Sequence, residues 1–147
     1  MKLLKDNNSL LKVTFWALIV VFLFIICQFF VPQVRDRFMG SEIFLMPFGI
    51  FFLLGIILIL LALKKGKSLL KKFLLLTGIS ASGFFIGVFL HNAFYALAVL
   101  TKQITVLRYL MELLHESFFL LGTLACPLGF LVGAIGSIVL FVKNKEE

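Results

Sequence analysis

The chain has 147 residues, 62% of them hydrophobic and 14% charged, with 14 Lys and Arg against 7 Asp and Glu. Soluble domains carry roughly 25% charged residues, and a soluble fold of this length has too little interior to hide so much apolar surface, whereas lipid lets apolar side chains face outward. The net charge of +7 lies between apolar runs, not in a groove interleaved with aromatic rings; that excludes nucleic acid as a partner and points to topology and anionic headgroups.

Residues 1–12 form a short basic leader with Lys2, Lys5 and Lys12, where Asn7, Asn8 or Ser9 offers a cap for a helix start. The first apolar run, residues 13–31, carries no charge. A helix needs about 20 such residues to cross hydrocarbon. The run is too long for a signal-peptide core and no small-residue cleavage site follows it, so a retained span is expected. Pro32 should end it. The connection that follows carries Arg35, Asp36, Arg37 and Glu42, which cancel, and Gly40-Ser41 supplies a turn.

The second run, residues 43–63, has Pro47 in its first turns, where helical N–H groups lack intrahelical partners anyway. Residues 64–72 then hold five Lys and no acid. The third run is 73–100. Residues 101–117 are amphipathic, and are expected to lie in the interface as a helix or to extend the next span outward. The fourth run is 118–142, with Pro127 inside it and a kink expected there. The tail from Lys143 to Glu147 is polar and expected to fray.

The fold class is therefore all-α: four transmembrane helices in an antiparallel bundle forming one membrane domain, with an amphipathic interfacial helix before the fourth span. Both termini and the 64–72 loop share a side. They hold ten Lys and Arg, against four in the other two connections. That asymmetry predicts a multi-pass protein of the cell membrane with cytoplasmic termini, its basic face on anionic headgroups.

Small residues suggest how the spans pack. Lipid supplies no hydrophobic drive between helices, so close backbone approach matters. The third span offers Gly83 and Gly87, with Gly78 and Ser82 on an adjacent row. The fourth offers Ala125, Gly129, Gly133 and Ser137, each four apart, with Gly122 and Gly136 nearby. These two stripes are expected to face each other.

Candidates for chemistry are few. His91, Asn92 and Tyr95 form a polar cluster deep in a span, and polar groups in hydrocarbon need partners. If Lys72 and Lys143 mark one plane, Thr123 is level with His91 and becomes its expected partner. Glu112, His115 and Glu116 make a second cluster, with the Glu-x-x-His step by which di-iron bundles present ligands. By the same alignment His115 stands about 14 Å beyond His91, too far for a joint site. Cys27 and Cys126 read as buried free thiols. No acid lies in any of the four runs, and no nucleophile pairs with a base, so no catalytic residue, metal or cofactor is expected.

The expected function is a non-enzymatic accessory, assembly or regulatory subunit acting through helix contacts, with a homo-oligomer or a larger membrane protein as partner. The alternatives are an oligomeric transport or permeation protein, and a small membrane enzyme using His91 at the outer leaflet.

Overall fold

The computed structural model describes residues 2–143, and the polar tail beyond Lys143 lies outside the described residues. Among these residues every element is helical: α1 (Lys2–Phe30), α2 (Pro32–Phe38), α3 (Met46–Leu63), α4 (Leu69–Leu100), α5 (Thr105–Leu120) and α6 (Cys126–Lys143). Four helical stretches are long and apolar enough to cross a membrane: Asn7–Phe30, Ile43–Leu63, Leu69–Leu100 and Thr105–Lys143. The chain thus reads as a membrane protein.

Several boundaries differ from the sequence reading. The leader is not separate: α1 runs through Asn7, Asn8 and Ser9 without using them as caps. Pro32 opens a helix as well as closing one, since it sits at the first position of α2, where its missing N–H costs nothing. Residues 38–41 turn through Gly40, whose φ of +84° favours glycine. The 105–120 segment extends the fourth span, the second of the two forms expected for it. It passes through one π-helical turn, Leu121–Ala125, straight into α6. That turn ends beside Pro127, where the helical ladder lacks a donor.

The turn between α3 and α4 is built from its own residues. Ser68 caps α4, its hydroxyl accepting from the Lys71 N–H at 3.2 Å. The Lys71 ammonium donates to the carbonyls of Leu63 and Lys65 at 3.1 and 3.0 Å. A cation thereby satisfies acceptors left open at the end of α3.

Helix α4 is the hub. Toward α3 it presents Gly78, Ala81 and Ser82: a Cβ placed at Gly55 would lie 3.0 Å from the Gly78 carbonyl oxygen. Toward α6 it presents Thr77, Ser80, Gly83 and Gly87. A Cβ at Gly87 would lie 2.9 Å from the Gly122 Cα, and one at Gly133 only 2.7 Å from the Thr77 nitrogen. Gly83 meets the Cys126 sulfur and Gly129 the Ser80 hydroxyl. Gly83 and Gly87 of the expected third-span rows lie against the fourth span, whereas Gly78 and Ser82 lie against α3. Gly122 is part of the seam, and Ala125 faces outward while Cys126 takes its place. Ser137 is completely buried, its hydroxyl without a partner among the described residues.

Helix α1 packs on α3 and meets α6 through two pairs of rings. Phe22 lies 4.5 Å from Phe130 and Phe15 5.4 Å from Phe141, centroid to centroid. Its inward stripe is Leu11, Phe15, Leu18, Ile25 and Gln28, spaced as one helix face requires. The Gln28 side chain is fully enclosed, and neither amide atom has a partner among the described residues. Cys126 is buried as expected, but Cys27 is exposed; both thiols are free.

Candidate functional site

The long helices set the site's position. Phe29 and Phe84 both pack on Phe48, so the ends of α1 and α3 are level with α4 near residue 84. Helix α4 runs on to Leu100, and α5 returns beside it. The two make a hairpin that outruns the other helices by more than 15 Å at about 1.5 Å per residue. The polar clusters lie on this hairpin.

His91 and His115, the chain's two histidines, stack face to face there. Their ring centroids are 4.1 Å apart with planes 25° from parallel. His91 Nδ1 lies 3.2 Å from the backbone carbonyl oxygen of His115, which accepts a hydrogen bond when that nitrogen carries the proton. Phe119 covers the His91 ring at 5.2 Å, Tyr95 lies 5.3 Å from the His115 ring, and Phe94 stacks on Phe118 at 5.5 Å.

This overturns the expected separation of the two clusters. The assumed alignment was wrong by about two turns. Phe73 is level with Gly136, not with Lys143, so α6 continues about 10 Å past the start of α4. Counting from Phe73 and Gly136, His91 is level with Phe118, and His115 stands one turn beyond, within side-chain reach. Thr123 is accordingly not the partner of His91. It faces outward, its hydroxyl donating to the Phe119 carbonyl at 2.7 Å. Asn92 is also exposed and donates to the Val88 carbonyl at 2.8 Å.

The second cluster lines a shallow groove of about 340 Å³ with Tyr95, Lys102 and Arg108. Arg108 Nε and Glu112 Oε1 pair at 2.8 Å one helical turn apart, both well exposed. So exposed a pair is screened by solvent and adds little to stability. Glu116 and Lys102 are exposed at the groove's two ends.

The arrangement limits the chemistry. Stacked rings hold their nitrogens in nearly parallel planes, so the lone pairs do not converge on one point as shared metal ligation demands. Among the described residues no group of three or more His, Cys, Asp or Glu is placed to hold a metal ion. The nearby hydroxyls of Thr101, Ser117 and Thr123 each donate to the carbonyl four residues back, not to an imidazole.

Sequence reasoning missed Thr77 and Ser80 in the seam. The signal was present: Thr77, Ser80, Gly83 and Gly87 fall three to four residues apart, and the glycine pattern alone was too strict a filter. Comparison with family models, with characterised proteins and with solved structures gave no match to this chain.

Proposed function

We propose that this chain is a non-enzymatic accessory, assembly or regulatory subunit of the cell membrane. In this reading it is an antiparallel four-span bundle with the termini and the Lys64–Lys72 loop in the cytoplasm, and its hairpin end engages another membrane protein. One observation carries the reading. The α4–α5 hairpin extends past α1 and α3, yet the side of α5 turned away from α4 stays apolar. Val106 is 80% and Leu113 61% exposed, and Leu100 at the hairpin turn is 78% exposed. The helix Thr105–Lys143 has 39 residues, about 58 Å, against a hydrocarbon core of about 30 Å. Apolar surface of that length outside lipid marks an interaction site. The stacked histidines and Phe94–Phe118 pair then serve to hold α5 against α4 so that the far face is presented rigidly. The basic loop and its neighbours favour the cytoplasmic assignment.

The test is purification in mild detergent from the native membrane, comparing the unchanged chain with Val106→Glu and Leu113→Glu. The expected outcome is a stoichiometric membrane partner that both substitutions release while four-span insertion persists. Ion or solute flux in proteoliposomes of the chain alone, abolished by His91→Ala, would replace this reading with transport. For orientation, Gly66→Cys in a chain carrying Cys27→Ser and Cys126→Ser should resist impermeant maleimide applied to intact cells.

A further inference from the structure

Between α1 and the α4–α6 pair lies a cavity of about 130 Å³, walled by the rings of Phe22, Phe51, Phe84 and Phe130. Its only hydroxyl is that of Ser80. Water in such a space needs two to four polar partners, and an apolar cavity of roughly 150 Å³ is known to stay dry and accept a hydrocarbon guest. Ile26 and Phe29 border it from α1 and are themselves 38% and 45% exposed. The mouth therefore opens sideways, on the outside of the helices. Its depth follows from Ser80, about 16 Å along α4 from Leu69, near the middle of a hydrocarbon core about 30 Å thick. At that depth the surrounding medium is the ends of acyl chains.

We propose that this cavity is a lateral binding site for one acyl chain of a membrane phospholipid, which completes the packing between α1 and α6. The inference rests only on the four spans lying in lipid, not on the subunit reading. Beside the cavity α1 and α6 meet through the Phe22–Phe130 ring pair, and the space bordered by these rings is filled by no side chain of the protein. An unfilled wall forfeits its dispersion contacts. A chain end entering past Ile26 and Phe29 restores them without desolvating anything polar. The contact of α1 with α6 then depends on lipid, whereas the α3–α4–α6 seam does not.

Tryptophan quenching by phospholipid brominated near its chain ends tests this in nanodiscs. The unchanged chain has a single tryptophan, Trp16, which is 49% exposed and reports contact with bulk lipid. Phe84→Trp in a Trp16→Phe background reports the cavity. The expected result is saturable quenching at position 84, half complete at a mole fraction about tenfold lower than for Trp16, a preference of about 1.4 kcal/mol. Adding Ile26→Phe, which narrows the mouth without touching the glycine seam, should remove the saturable phase. Quenching at 84 that tracks mole fraction as Trp16 does, or that Ile26→Phe leaves unchanged, overturns the proposal. Native mass spectrometry of the unsubstituted protein gives an independent reading. One phospholipid should survive delipidation that strips the rest, and a chain that keeps none overturns the site.

Discussion

Around α4 the backbones touch, while between α1 and α6 it is rings that meet. On the α4 side, Gly55, Gly78, Gly87 and Gly133 bring main chains so close that a single added carbon would collide with backbone atoms. On the α1 side, phenylalanine rings hold the helices apart and leave a cavity. Both are answers to one constraint. Lipid contributes no hydrophobic drive, so helices associate through dispersion contacts and matched shape. Glycine seams achieve this with short, many-atom backbone contact, and they tolerate no increase in size. Ring contacts are adaptable, and lipid can enter where they fall short.

The contrast is open to measurement by unfolding titration in mixed micelles. The largest effect should come from Gly133→Leu, whose new side chain would meet the Thr77 nitrogen and the Phe73 carbonyl oxygen. A loss of about 3 kcal/mol or more is expected. Gly49→Ala, with nothing within 4 Å of the new carbon, is its control and should be silent. Phe22→Ala should cost less, about 1–3 kcal/mol, below the 3–5 kcal/mol typical of a closed core, because lipid can occupy the enlarged gap. If Phe22→Ala proved the costlier of the two, the division between rigid seam and adaptable side would fail. The smallest effect should be Gln28→Leu. An enclosed amide without partners is a liability, so its removal should be neutral or stabilise by up to about 1 kcal/mol. A marked loss would mean that Gln28 is satisfied by a partner.

Much of the fold was legible in the sequence because hydrophobic length adds up along the chain. Residues 13–31 and 43–63 needed no tertiary knowledge to be read as spans, and Pro47 sits where proline is tolerated. The seam was half legible. Gly83, Gly87, Gly129 and Gly133 carried the signal, but Ala125 and Cys126 are adjacent, and a one-residue step turns a helix by about 100°, enough to exchange inside for outside. The candidate site was the least legible part. Nothing in the spacing of His91 and His115 says that they stack.

The sequence by itself determined that most of these side chains are apolar enough for oil, how many helices are long enough to cross it, and which side chains are small enough for close packing. The tertiary structure alone decided register: how far α6 overshoots the start of α4, which turn of α5 comes to rest beside His91, and that α1 stands off far enough to leave a cavity. The reason is physical. Burial in lipid is a local property of each segment, whereas register emerges from the tight Ser68-capped turn, the π-helical turn at Leu121–Ala125 and the fit of glycine against backbone, acting together.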